Sequence, residues 1–120
     1  MDWSAYPNFE EHEFRCRHCG KASMVPEFME RLQALRTIYG RPLTVSSGYR
    51  CENHPVEKAK PFPGMHSTGK AADLAVVGGD ALDVLKIALD LGFKGIGVQQ
   101  KGTGRFIHLD MREQPAIWSY

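Results

Sequence analysis

The sequence predicts a single α+β domain spanning residues 1–120. Two segments with helical periodicity alternate with four short apolar runs, and glycine or proline stands at nearly every junction. The length suits one domain with a modest core. A composition of 42% hydrophobic and 24% charged residues is that of an ordinary globular chain rather than a disordered one.

Each element has a local reason. In "PEFMERLQALRTIYG", Pro26 stands at a first helical position and Phe28, Leu32, Leu35 and Tyr39 recur at helical spacing. Gly40 follows as the C-terminal stop. "RPLTVSS" reads as a strand starting after Pro42. Residues 51–70 mix proline, glycine and polar residues and are expected to form an ordered loop. "KAADLAVV" is a second strand ended by Gly78-Gly79. Asp80 is expected to cap a helix through "ALDVLKIALDLG", closed by Gly92. "KGIGVQQ" and "RFIHLDMR" form the last two strands, joined by the hairpin-like turn "KGTG". No repeat, linker or low-complexity segment interrupts this order.

Bulk properties exclude several function classes. A net charge of +1 supplies no electrostatic footprint for nucleic acid or an acidic membrane. No apolar run approaches the ~20 residues of a membrane span. The opening "MDWSAYPNFEEHEF" is acidic and lacks the apolar stretch of a secretory signal, so synthesis in the cytoplasm is expected. Three cysteines cannot complete a disulfide framework.

The chemistry concentrates in two short stretches, "GMHSTGKAADLAVV" and "FIHLD". His66 precedes a strand, Asp73 lies within it, and His108 lies on another strand. Zinc accepts histidine nitrogen and carboxylate oxygen, and a catalytic ion keeps three protein ligands and an open position. If the two strands are neighbours, His66, Asp73 and His108 converge on one ion. Asp110 projects from the same strand face as His108, because the strand period is two. Taken singly, any of these residues is more often a satisfied structural group; the weight lies in their local context.

That context is similar to a known family. "SSGYR" (46–50), "HSTGKAAD" (66–73) and "FIHLD" (106–110) resemble the zinc D-Ala-D-Ala carboxypeptidases and peptidoglycan endopeptidases, of the wider group that includes lysostaphin and the hedgehog signalling domain. The resemblance runs from about Phe9 to Met111 and is nearest to compact phage and bacterial cell-wall enzymes. It implies an antiparallel sheet with helices packed on it. It also implies His66, Asp73 and His108 as zinc ligands, and Arg50 as an arginine that contacts substrate and stabilises the developing oxyanion. Gly69 and Ala71 match small positions that bring backbone close to the metal. Ser47 and Tyr49 of the same element, with Gln99, complete the expected substrate contacts. A guanidinium keeps its charge at any relevant pH, which suits that task.

Two positions depart from the pattern. Many relatives carry Glu or Asp three residues before the last histidine, as general base; Arg105 stands there and cannot accept a proton. A serine often precedes the first ligand by two, where this chain has Gly64. Asp110 then has two readings, as the base or as a carboxylate that orients an imidazole.

The cysteines form a separate pattern. Cys16-x-x-Cys19 and Cys51-x-x-His54 together have the ligands of a closed structural zinc site. Free buried thiols, or one disulfide formed after release into an oxidising compartment, are the alternatives. His12 and His18 are expected at the surface.

Three function classes follow. The first is a zinc peptidase cutting peptidoglycan stem peptides or cross-links, such as a phage endolysin, working as a monomer and reaching the wall by phage release or in a virion. The second is a non-catalytic hedgehog-like module that binds wall peptide, which Arg105 favours. The third, a zinc-ribbon nucleic-acid module, is disfavoured by the near-neutral charge.

Overall fold

A computed structural model describes all 120 residues. Five strands form one mixed sheet in the order β1-β2-β4-β3-β5: β1 (Val45–Ser47), β2 (Ala71–Leu74), β3 (Gly95–Gln99), β4 (Phe106–Asp110) and β5 (Ala116–Ser119). Three helices accompany it, α1 (Pro26–Tyr39), α2 (Pro55–Lys58) and α3 (Gly78–Asp90), with 3₁₀ turns at Trp3–Ala5, Glu11–Phe14 and Met65–Thr68. No helix is long and apolar enough to cross a membrane.

The alternation of strand residues divides the sheet into two faces with different tasks. Ala72, Leu74, Ile96, Ile107 and Leu109 point to one side and join Phe28, Leu32, Leu35, Val84 and Ala88 of α1 and α3 in a single core. The ring of Phe28 meets Phe93 edge-on at 5.8 Å. The opposite face carries Asp73, His108 and Asp110. Register places Asp73 opposite His108 across β2 and β4, and Gly97 opposite His108 across β3 and β4. The polar face is therefore assembled by the same ladder that fixes the core.

Most expectations for the elements hold, with shorter strands. α1 starts at Pro26 and stops at Gly40, which adopts φ 70°. Three features differ. The 51–70 segment, expected as a loop, contains α2 and a 3₁₀ turn. Val77 rather than Asp80 is the N-cap of α3; Asp80 lies in the first turn, where it pairs with Arg41 at 2.7 Å instead of capping.

The third difference is β5, which runs parallel to β3 and turns the expected antiparallel sheet into a mixed one. The reason is the crossing. β4 ends with Asp110 opposite Gly95, at the start of β3. The five residues 111–115 step around that end, the Ala116 N–H binds the Lys94 carbonyl at 2.9 Å, and the chain can then only run in the direction of β3.

The N-terminal arm lies over the segment after β1. Phe14 is fully buried between Trp3 and Phe9, and its carbonyl accepts the Tyr49 N–H at 3.0 Å. A side chain on Gly48 would meet the Phe14 Cα at 2.6 Å, so only glycine allows this approach.

Candidate metal centre

Three buried side chains converge beside the middle of the sheet. His66 comes from the 3₁₀ turn before β2, Asp73 from β2 and His108 from β4; each is about 95% buried. His108 Nδ1 lies 2.9 Å from Asp73 Oδ1 and 3.2 Å from His66 Nε2, and His66 Nε2 lies 3.2 Å from Asp73 Oδ1. Four tetrahedral zinc ligands at 2.0–2.1 Å stand about 3.3 Å apart. The triangle matches that spacing to within a few tenths of an ångström.

The outer nitrogens decide what the triangle can hold. His66 Nδ1 donates to the Gly48 carbonyl at 2.7 Å, and His108 Nε2 faces Asp110 Oδ2 at 2.7 Å. With one proton committed outward on each ring, both inner nitrogens present lone pairs to each other and to a carboxylate oxygen. Three acceptors cannot satisfy one another; a cation between them can. These residues therefore fit zinc. Without an ion, burial opposes charge on the His108 imidazole, but Asp110 and Asp73 outweigh it and raise its pKa. Burial likewise works against the Asp73 carboxylate, and hydrogen bonds from His108 and His66 overcome it, so its pKa falls well below the usual range.

Asp110 is fully buried and has no oxygen to spare. Arg112 donates to it from Nη2 at 2.6 Å, from Nε at 2.9 and 3.2 Å, and through its backbone N–H at 3.0 Å. Taking such a carboxylate out of water costs several kcal/mol, which the arginine and histidine offset. Burial raises its pKa less than these partners lower it. Gly95 makes the space, since a Cβ there would overlap the carboxylate. Of the two readings of Asp110, these contacts favour the orienting one.

Arg50 reaches the same place from the loop after β1. Its Nη2 lies 3.4 Å from Asp73 Oδ2, its Nη1 3.2 Å from Glu57 Oε2, and its Nε 3.1 Å from the Ser47 hydroxyl. Three of its five N–H donors are thus engaged, leaving two. Ser47 acts on Arg50. Tyr49 lines a separate hollow on the arm side, together with Cys16 and His54. Gln99 lies elsewhere: its side chain accepts the Lys101 N–H at 3.1 Å and braces the hairpin. Arg105 is exposed on that hairpin and bonds the Gly102 carbonyl. Gly69, at φ 76°, packs against the Ser23 carbonyl rather than the ligand triangle, whereas Ala71 is buried opposite Asp110.

Several participants were not foreseen from sequence. Beside the triangle opens a cleft of about 420 Å³, lined in part by Lys60, Arg112, Trp118 and Tyr120. The last two come from the unforeseen end of the chain. Trp118 lies 5.1 Å from the His108 ring, and the Arg112 guanidinium sits 4.5 Å above the indole. A Cβ at Gly97 would strike Trp118 Nε1 and the Tyr120 hydroxyl at 2.8 Å. The alternate glycines of "KGIGVQQ", both facing the site, were the readable signal. Glu57 was also missed. It is 1% exposed and bound by Lys60, Arg50 and the Gly64 N–H; burial pushes its pKa up, but these contacts prevail and hold it down.

The cysteine pattern is partly assembled. The sulfurs of Cys16, Cys19 and Cys51 lie within 4.8 Å of one another, and none is in a disulfide. His54 does not join them. Its Nδ1 accepts the Val56 N–H at 3.1 Å and caps α2. His18, expected as a mere surface residue, is exposed but turns its Nδ1 to Cys51 Sγ at 3.4 Å. Burial raises the Cys16 thiol less than the N–H groups of Cys51, Cys19 and His18 lower it, and its pKa is brought down to about 7.

A family model described as Peptidase M15 matches residues 7–110, a span that contains all three residues of the triangle and all three cysteines. No curated protein matches the chain.

Proposed function

The chain belongs to the peptidase M15 family, whose members are zinc-dependent peptidases, and on that premise we propose that it hydrolyses peptide bonds of peptidoglycan stem peptides or cross-links. The observation that carries this reading is the His66–Asp73–His108 triangle, at zinc-ligand spacing on the floor of an open cleft. A zinc ion held there supplies Lewis acidity and a water acidic enough to ionise near neutral pH.

The chain's own residues do the rest. Gly48 and Asp110 fix the two imidazoles so that their lone pairs point inward. Arg50 steadies Asp73 and turns its two remaining donors toward a scissile carbonyl, where charge grows in the transition state. Lys60, Arg50 and Arg112 make the cleft cationic, while Met65, Phe106 and Trp118 give it apolar walls. That combination suits a short peptide with a free carboxylate, as stem peptides have. The Tyr120 hydroxyl has its pKa raised, chiefly by burial, so it stays protonated and serves as a donor. Such a protein acts at the cell wall, which phage release or carriage in a virion would let it reach.

One observation favours a second reading. Asp73 is the only carboxylate lining the cleft, and it is a ligand of the triangle. A module that binds wall peptide without cutting it needs no general base. Zinc-loaded protein incubated with purified sacculi separates the two. Release of soluble peptides, with the new termini identified by mass spectrometry, supports hydrolysis and names the bond. Co-sedimentation without release supports the binding module. Neither outcome would remove peptidoglycan as the substrate.

A further inference from the structure

Residues 16–20, "CRHCG", form a closed turn. The Gly20 N–H binds the Cys16 carbonyl at 2.8 Å, and the Cys16 N–H binds the Lys21 carbonyl at 2.7 Å. Gly20 adopts φ 77°, which brings the chain back on itself directly after Cys19. Within this turn the His18 N–H points at Cys16 Sγ at 3.4 Å, and the Cys51 N–H approaches the same sulfur from outside at 3.4 Å. Backbone N–H groups aimed at a sulfur favour the thiolate, the form that binds metal. The three sulfurs are mutually close, and His18 Nδ1 adds a nitrogen 3.4 Å from Cys51 Sγ. Ligands at zinc–sulfur distances of 2.3 Å stand roughly 3.8 Å apart in a tetrahedron.

We propose that Cys16, Cys19, Cys51 and His18 hold a second zinc ion, a closed structural site distinct from the triangle. Three thiolates and one imidazole form a soft, complete ligand set with no position for substrate. The site ties together two pieces of chain that also meet through the packing of Phe14 on Gly48 and the Tyr49 N–H on the Phe14 carbonyl. One is the exposed turn of the N-terminal arm; the other is the segment 48–51. In that segment Gly48 orients His66, Arg50 contacts Asp73, and Cys51 follows immediately. The second ion thus acts as a positioning device for the first centre. The inference does not rest on the peptidase reading.

Cobalt substitution tests it, because only thiolate ligands give a sulfur-to-cobalt charge-transfer band and the triangle has none. Reduced wild-type protein should bind two metal equivalents and show the band. His66→Ala/His108→Ala should lose one equivalent and keep the band. Cys16→Ser and Cys19→Ser should lose the other equivalent together with the band. If those variants fail to fold, His18→Gln at its exposed position should weaken the second equivalent alone, and His54→Gln should leave both. A single equivalent in reduced wild type, with three freely reacting thiols, overturns the proposal. So does a disulfide that persists with the metal bound, and loss of the band in His54→Gln but not His18→Gln overturns the assignment of His18.

Discussion

The triangle and the cysteine cluster flank Arg50, but they are built in opposite ways. Asp73 and His108 are neighbours in a strand ladder, 35 residues apart in sequence and 2.9 Å apart in space. Their positions are paid for by the core behind the sheet, and each ligand has a partner holding its far side. The cysteine cluster rests on an exposed five-residue turn and on one residue brought from a loop. The first site is preorganised, so removing a metal from it should leave the fold standing. The second is held by the backbone hydrogen bonds of its own turn and has no strand ladder behind it, so metal binding there should carry a larger share of local folding free energy.

The largest effect that sharpens this contrast is His108→Ala. Hydrolysis of sacculi should fall to background and one metal equivalent should disappear, while the melting temperature of the metal-free protein changes little. A collapse of the wild-type melting temperature when chelator strips the metal would mean that the sheet needs its ion, and the contrast would fail. Calorimetry in chelator decides it.

Arg50→Ala tests the residue between the two sites. Turnover should drop by roughly 10²–10³, the usual consequence of losing a donor aimed at transition-state charge. Arg50→Lys should recover little, because a point charge cannot serve Ser47, Glu57 and Asp73 together. Steady-state rates on a defined stem peptide measure both.

A smaller effect is expected at Asp110. Asp110→Asn should weaken zinc binding by about 10–100-fold, and activity should return with excess zinc. Gly95→Ala should act in the same direction without touching a ligand, by crowding the carboxylate off His108. Activity that stays low at saturating zinc would instead make Asp110 the base.

The smallest effect concerns Glu57, whose pKa is lowered by its contacts with Gly64, Lys60 and Arg50 despite its burial. A carboxyl group depressed in the folded state stabilises it above the unfolded value of 4.5, and that contribution is lost as pH falls below it. Thermal melts between pH 3 and 6 should therefore show a weaker acid-side loss in Glu57→Gln than in wild type. Parallel curves would remove Glu57 as an anchor of the loop.

The sequence was legible where short-range rules apply. Pro26 and Gly40 bound α1 as their backbone preferences require. Alternation in "FIHLD" places Ile107 and Leu109 in the core and His108 and Asp110 on the other face, and the family resemblance, more than spacing, picked out the three residues that meet. Where two local signals competed, the sequence was ambiguous. Asp80 has the side chain of a cap, yet Arg41 claims it from another part of the chain.

What tertiary structure decided were choices among equivalent local options. Both His18 and His54 stand near a cysteine in sequence, and only the path of the chain turns His18 toward Cys51 and leaves His54 to cap α2. Asp110 has two readings in the sequence, and only the fold shows that Arg112 and Gly95 enclose its carboxylate. Strand β5 brought Trp118 and Tyr120 to the cleft through a parallel pairing whose partner lies some twenty residues back. Periodicity and capping act over one turn or one strand, so they specify which residues share a face. Which faces meet is set by pairing register and by the burial of groups distant in sequence, and those energies exist only once the chain has closed on itself.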